Sequence, residues 1–400
     1  MQKITVFLLM TIFLTLANAG SGMIPFYKEA VKTLSYQSTY TLEKKSRALL
    51  IEAKKKQRYL NLDAGIMYGA TNAKLLAHHF NNTDIGITDT IDLFGKNVED
   101  IRLIQLQMKE DGLLLQVQKE KLFLSLVDMV TSCKASEEKL KLYQKLYHTQ
   151  ATLIEAVRSA VKSGTVPMLE LTRLENIMAL IEAQRDQEKQ IVTMMKAQLK
   201  LYSPHHAIPR LSETGLHSDL RHFLAHSPQL KLNDNRAKQS SQKIKQIEQS
   251  WMPDAIIGAN QEYNNDPTAN GDNYTLSMGL SMHFDGGMTH DIERQKVDAL
   301  RIKSQKKALE IERKAQYIAW KTQYQTAKKL FASLRQPLKH SNVTLKNMRI
   351  AYLKHYVDLN TYLQTIKESL ATHEAQISAK YKMIQNAVIL NMLSEKIIYE

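Results

Sequence analysis

Residues 191 positions apart correspond along most of this chain, so one architecture is written twice without a gap. Leu60-Asn61-Leu62-Asp63-Ala64-Gly65-Ile66 falls on Trp251-Met252-Pro253-Asp254-Ala255-Ile256-Ile257. Ile87, Ile91 and Leu93 fall on Met278, Met282 and Phe284, Gly95 on Gly286, and Asp100-Ile101 on Asp291-Ile292. Further on, Ser163-Gly164-Thr165-Val166-Pro167-Met168 lands on Lys354-His355-Tyr356-Val357-Asp358-Leu359. Identity at paired positions is low. A single offset that carries helices, strands and turns together is nevertheless hard to obtain by chance.

Each copy reads helix, two strands, very long helix, tight turn, helix. Residues 1–19 stand outside this scheme, 20–215 form the first structural repeat and 216–400 the second. In the first repeat the patterns predict helices over 25–58, 96–162 and 167–202, with strands over 60–70 and 84–94. In the second they predict helices over 217–249, 287–353 and 358–398, with strands over 253–264 and 273–285. Ser203-Pro204 and Ile208-Pro209 stop the preceding helix and make the linker extended. Pro337, inside the second long helix, predicts a kink there.

The strands alternate strictly. From Tyr274 to Phe284, one face takes Leu276, Met278, Leu280, Met282 and Phe284, and the other takes Thr275, Ser277, Gly279, Ser281 and His283. Ile85, Ile87, Ile91 and Leu93 repeat this against Gly86, Thr88, Thr90 and Asp92, with Asp89 as an exception on the apolar face. Leu60, Leu62, Ala64, Ile66 and Tyr68 alternate with Asn61, Asp63, Gly65 and Met67. An antiparallel sheet with its apolar face on a soluble core gives such a pattern too. Two properties favour a membrane: strands of about 10 residues cross a bilayer when tilted, and the small polar face suits a water-filled lumen. The segments Thr71 to Thr83 and Asn265 to Asn273 then become external hairpin loops.

The helices carry heptads. Leu140, Tyr147, Ile154 and Val161 recur every seven residues, and the offset carries them onto Phe331, Leu338, Leu345 and Tyr352. A helix over 96–162 spans roughly 100 Å at 1.5 Å per residue, too long for the core of one compact domain. Only 14 glycines and 8 prolines in 400 residues also weigh against a turn-rich all-β protein.

Lys3, the apolar run Ile4 to Leu16 and the ending Ala17-Asn18-Ala19 read as a secretory signal peptide cleaved before Gly20. The residue just after the cleavage point is Gly20 and not a cysteine, so no lipoprotein anchor is expected there. The single cysteine, Cys133, excludes an intramolecular disulfide framework and a multi-cysteine metal site. The formal charge of +14 would ordinarily raise nucleic acid as a partner. Export argues against that, and the basic residues are scattered along solvated helix faces.

Backbone polar groups inside a bilayer must all be paired, so membrane strands must close into a barrel. Four strands per chain are too few, because known barrels begin at about eight strands. Three chains, giving about twelve strands, are the smallest assembly with a useful pore. The long helices would continue that pore as a second, helical tube. The fold class expected is therefore mostly α, α+β: an internally duplicated chain with coiled-coil helices and four antiparallel membrane strands, forming a trimeric 12-strand β-barrel continued by an α-helical barrel.

From about Pro25 to Ile398 the chain resembles the TolC family of outer-membrane efflux proteins. The resemblance rests on the duplication, on Trp251-Met252-Pro253 as an aromatic-x-Pro strand opening, and on the strand-to-helix junctions Phe284-Asp285-Gly286-Gly287 and Leu93-Phe94-Gly95-Lys96. It rests also on the helical turn from Val161 to Leu174, where Gly164 followed by Glu170-Leu171 resembles a Gly-x-x-x-x-x-Asp-Leu-Leu pattern. The resemblance implies a homotrimer in the cell outer membrane, reaching into the periplasm and docking with a periplasmic adaptor protein and an inner-membrane pump. It would be a passive conduit of a tripartite efflux or type I secretion system, with no enzymatic activity and no cofactor.

The resemblance also implies that the periplasmic tips close the channel through a tyrosine and aspartates at the second repeat's turn. Tyr352 stands at the tyrosine position. Thr361 and Gln364 stand at the aspartate positions, and His355 replaces the usual glycine. Asp358, Glu170 and Arg173 are the remaining candidates for tip charges, and a place in the heptad seam is the simpler account of Tyr352.

His222 and His226 lie four apart on an expected helix with His217 a turn earlier, the spacing of a metal-binding pair, but no acidic residue completes a ligand set and no metal site is expected. His78-His79 and His205-His206 fall in a loop and a linker. No phosphate loop, His-Glu-x-x-His or nucleophile elbow is present. The alternative is a soluble periplasmic coiled-coil adaptor or scaffold whose strands form a small sheet. It does not require two strand pairs with apolar outer faces placed equally far from two helical hairpins.

Overall fold

The computed structural model describes residues 22–57, 62–73, 78–213, 215–264, 273–283, 286–395 and 397–399. The expected leader at 1–19, Leu60, the tip of the second strand hairpin at 265–272 and the Phe284-Asp285 junction lie outside the described residues. The elements run α1 (Met23–Thr33), α2 (Tyr36–Gln57), β1 (Leu62–Ala73), β2 (His78–Ile91), α3 (Lys96–Lys162), α4 (Met168–Tyr202), α5 (Leu220–His226), α6 (Pro228–Ser250), β3 (Asp254–Asn264), β4 (Asn273–Ser281), α7 (Met288–Ser333), α8 (Arg335–Leu353) and α9 (Leu359–Ser394), and a 3-10 turn, Ile397–Tyr399, follows. They gather into two compact units, each drawing on both halves of the sequence. Residues up to Tyr36, Gln116–Ser227 and Ile311–Glu400 form one, and Gln37–Leu115 with Pro228–Glu310 the other.

The second of these units holds the sheet, antiparallel throughout in the order β1-β2-β3-β4. Residues paired directly across an antiparallel ladder share a face. The register sets Ala64 against Ile87 and Ile87 against Ala259, which in turn faces Leu276. One face therefore carries Leu62, Ile66 and Tyr68, then Ile85 and Ile87, then Ile257, then Leu276, Met278 and Leu280. Asp89 lies on that face between Leu62 and Ile257. The face is open to the surroundings: Leu276 is 83% exposed and Met278 82%.

The other face is small and polar. Asp63, Thr88, Gly258 and Ser277 form one of its cross-strand rows, and Gly65, Gly86, Asn260 and Thr275 the next. A Cβ at Gly258 would stand 2.8 Å from the Ser277 hydroxyl, and one at Gly86 would stand 2.9 Å from the Asn260 amide oxygen. The absent side chains help leave a hollow of about 490 Å³ over this face.

The first expected loop shrinks. The ladder between β1 and β2 continues to Ala73 opposite His78, because backbone pairing does not depend on apolar side chains. Only 74–77 of the expected loop Thr71 to Thr83 falls between the strands. At the other end β2 stops at Ile91 instead of reaching 94. There the Asp92 carboxylate accepts hydrogen bonds from the backbone N–H groups of Gly95 (2.7 Å), Lys96 (2.9 Å) and Asn97 (2.8 Å), which caps α3. Lys96 reaches Asp254 at 2.8 Å, tying the start of α3 to the start of β3.

The all-helical unit buries Met23, Phe26 and Ala30 of α1 in one cluster with Phe123, Leu126 and Val130 of α3, Phe223 of α5, and Ile384, Leu390 and Leu393 of α9. A second cluster surrounds the hairpin turns. No helix among the described residues is long and apolar enough to cross a membrane.

Three expected helices are broken. The helix expected over 25–58 divides at Ser35, which takes a left-handed φ of 56° while its N–H bonds the Lys32 carbonyl. The one expected over 217–249 begins at Leu220 and divides at Ser227, before Pro228 opens α6 at a position where a missing N–H costs nothing. The long helix expected over 287–353 divides at Leu334. Pro337 has no N–H for the Ser333 carbonyl, so α7 ends there and the proline sits in the first turn of α8. The last helix, expected to 398, ends at Ser394.

Candidate functional site at the helical hairpin turns

The turns joining α3 to α4 and α8 to α9 share one backbone solution. In the first, the N–H of Gly164 bonds the Val161 carbonyl at 3.0 Å and that of Thr165 bonds Ala160 at 3.0 Å. In the second, His355 bonds Tyr352 at 2.9 Å and Tyr356 bonds Ala351 at 2.8 Å. Both are Schellman-type ends, which require a left-handed residue just past the helix. Gly164 supplies it at φ 74° and His355 at φ 59°.

The second hairpin is hydrogen-bonded to the first. The Tyr352 hydroxyl donates to Glu170 Oε2 at 2.8 Å, and its ring stacks on Tyr362 with centroids 5.5 Å apart and planes 5° from parallel. Tyr362, fully buried, donates to the Gln150 side-chain oxygen at 3.0 Å. Arg173 donates to the Asn360 side-chain oxygen at 3.2 Å, and Arg349 to the Thr152 hydroxyl at 2.6 Å. Around these bonds Leu153, Ile154, Val157, Leu171, Leu174, Leu359 and Ile366 close an apolar cluster. Burial and then the Glu170 carboxylate push the Tyr352 hydroxyl above the ordinary tyrosine range. It therefore stays protonated, and a donor, across the physiological range.

Of the residues singled out in the sequence, Tyr352 and Glu170 are in direct contact, and Arg173 engages the neighbouring hairpin through Asn360. Asp358 does not join them. It is the N-cap of α9, accepting from the Thr361 N–H at 2.9 Å and the Thr361 hydroxyl at 2.8 Å. Those bonds, the backbone one first, hold its carboxyl below the usual range. Of the heptad Leu140, Tyr147, Ile154 and Val161, Ile154 is buried and Tyr147 and Val161 pack against the cluster, and Tyr143, Leu146, Gln150, Leu153 and Val157 are buried beside them. Gln150 was missed because a polar side chain interrupts an apolar repeat. Its partner Tyr362 lies 212 residues away, so no local signal identifies the pair.

Elsewhere in the helical unit, Arg313 and Glu120 form an ion pair at 2.7 Å with side chains only 3% exposed. Tyr399 donates to the other Glu120 oxygen at 2.8 Å. Among the described residues no group of three His, Cys, Asp or Glu side chains is placed to hold a metal ion.

No known family's sequence profile matches the chain, and no curated protein matches it by sequence. Solved structures do match by fold. The outer-membrane channel OprN superposes with a TM-score of 0.78 at 13% identity, covering 94% of this chain and 91% of its own. The outer-membrane protein VceC from Vibrio cholerae gives 0.76 at 11% identity, with 94% and 96% covered. The open state of the Neisseria gonorrhoeae MtrE outer-membrane channel gives 0.71 at 14%, with 94% and 89% covered. The chain has the fold of the TolC-like outer-membrane channels.

Proposed function

We propose that the chain is a member of the TolC family and forms the outer-membrane channel of a tripartite efflux or type I secretion system. Three copies join the free edges of β1 and β4 into a twelve-strand barrel, and their helices continue the tunnel into the periplasm. A periplasmic adaptor and an inner-membrane pump complete the path, and the channel itself does no catalysis. Export relies on the leader at 1–19, without a lipid anchor.

One observation carries this reading: an apolar face spans all four strands and is exposed, on a sheet whose edge strands β1 and β4 have no second strand partner among the described residues. In water such a face is an aggregation hazard, whereas in a bilayer it is the surface that lipid requires. In this reading the hairpin turns form the closing end. Tyr352, Glu170 and Arg173 hold each second-repeat hairpin inward, and Asp358 contributes an exposed charge beside them.

Membrane fractionation and planar-bilayer recording test the proposal together. It requires the mature protein to sit in the outer membrane and, after detergent extraction, to form discrete conducting pores. A mature chain found in the soluble periplasm would support the adaptor or scaffold alternative. The phenotype of a deletion strain divides efflux from secretion: hypersensitivity to toxic compounds favours the former, and loss of an exported protein the latter.

A further inference from the structure

We propose that His222 and His226 form a binding site for a borderline first-row divalent cation, Cu²⁺ most tightly. The two side chains project from α5 one turn apart, and their rings lie with centroids 6.3 Å apart and planes within 20° of parallel. The rings are near-parallel, so binding requires exposed His222 to turn until a nitrogen of each ring lies about 2.0–2.1 Å from one ion, which the one-turn spacing on the helix allows. The Nδ1 of His226 is 2.8 Å from the Ser394 backbone carbonyl. A carbonyl only accepts, so Nδ1 carries the proton and Nε2 keeps its lone pair. That is the outer-shell arrangement that orients metal-ligating histidines.

The helix bearing the pair is held from several directions. Phe223, between the two histidines, is buried against Tyr317 and Trp320, with the Arg313 guanidinium 4.7 Å over its ring. Just before the helix, the His217 N–H donates to Asn391 at 2.9 Å, and Asn391 donates to the Gly215 carbonyl at 2.8 Å. His222 itself is exposed. His226 is thus pre-set on the inner side, while exposed His222 closes on the ion from the outer side, with water completing the coordination. Imidazole donors favour copper over nickel and zinc by the usual divalent order.

The test uses the full mature chain, purified in detergent without a histidine tag and titrated with CuCl₂ against a chromophoric chelator. Nitrogen couplings in the Cu²⁺ electron paramagnetic resonance spectrum are the second readout. The expected result is one Cu²⁺ per chain with two imidazole nitrogens, weakened about 10–100-fold in H222A, a loss at least matching that of an outer-shell partner. H226A should behave alike, and the control H205A/H206A should keep the site. Because H226A also loses its bond to Ser394, H222A decides. Unchanged copper affinity and nitrogen couplings in H222A, or no copper bound by the parent chain, would overturn the proposal.

Discussion

Gly164 and His355 lie 191 residues apart and occupy the same left-handed turn position, φ 74° against 59°, with the same two backbone hydrogen bonds closing each turn. Glycine adopts this conformation freely, whereas a side chain there costs about 1–2 kcal/mol. His355→Gly should therefore stabilise the hairpin by about 0.5–1 kcal/mol, after allowing for glycine's greater unfolded-state entropy. Gly164→Ala should destabilise by a similar amount or more. Thermal denaturation of the two variants in detergent reads both, and the opposite signs are the diagnostic result.

Tyr352→Phe removes the hydroxyl that donates to Glu170 while keeping the stack on Tyr362. A hydrogen bond to a charged group contributes about 1.5–3 kcal/mol, and partly exposed Glu170 places this one at the low end. In a closed-to-open equilibrium that corresponds to roughly a tenfold shift toward the open state. Single-channel open probability measures it. Asp358→Asn, which keeps an N-cap oxygen, should shift the equilibrium much less.

The carboxylate of Glu29 sits between the linker histidines, 2.7 Å from His205 Nδ1 and 2.6 Å from His206 Nδ1, and also accepts from the Ser203 hydroxyl. Partial burial raises its pKa, but these hydrogen bonds outweigh it and hold it at about 2 against an ordinary 4.5. A depressed carboxyl stabilises the fold fully above its unfolded value, and that contribution fades as pH falls from about 4.5 toward 2. Glu29→Gln should flatten the acid side of the stability curve in that window. Unfolding midpoints recorded from pH 2 to pH 5 would show it.

Arg313→Ala leaves the Glu120 carboxylate buried without its cation, and breaking a pair this enclosed costs about 3–5 kcal/mol. Replacing both, as Arg313→Met with Glu120→Leu, should recover most of the loss. The remainder would reflect the Tyr399 hydroxyl left without its acceptor. Denaturation midpoints of the single and double variants give the coupling directly.

The parts of the fold legible in the sequence are those where one rule acts alone. Alternation from Tyr274 onward located β4 and its apolar face, although the strand ends at Ser281 instead of reaching 285, and the offset located both hairpin turns, including His355 in a glycine's place. What escaped reading depends on contacts or on backbone choices with weak local markers. Ser35 adopts a left-handed break that its identity does not announce, and Asp92 leaves β2 to cap α3. At the turns, Tyr352 was visible as a position, but its acceptor Glu170 is 182 residues distant and was named only as a nearby charge. The break at Leu334 follows Pro337 and is one residue long: Leu334 keeps a helical φ of −79° and ψ of −5°, and its N–H still bonds the Leu330 carbonyl.

Neighbouring positions in β4 distinguish lipid from lumen. Met278→Arg places a cation on the exposed apolar face and should cost about 2–4 kcal/mol of insertion if near the bilayer centre. Ser277→Arg, one residue away on the polar face, should leave insertion intact. The amount of each variant in the outer-membrane fraction checks the pair.

Native mass spectrometry of the detergent-extracted mature protein addresses most directly how the two free strand edges are satisfied. Closure by neighbouring copies predicts a single species containing three chains that survives dilution. A monomer that stays dispersed after detergent is withdrawn would contradict it.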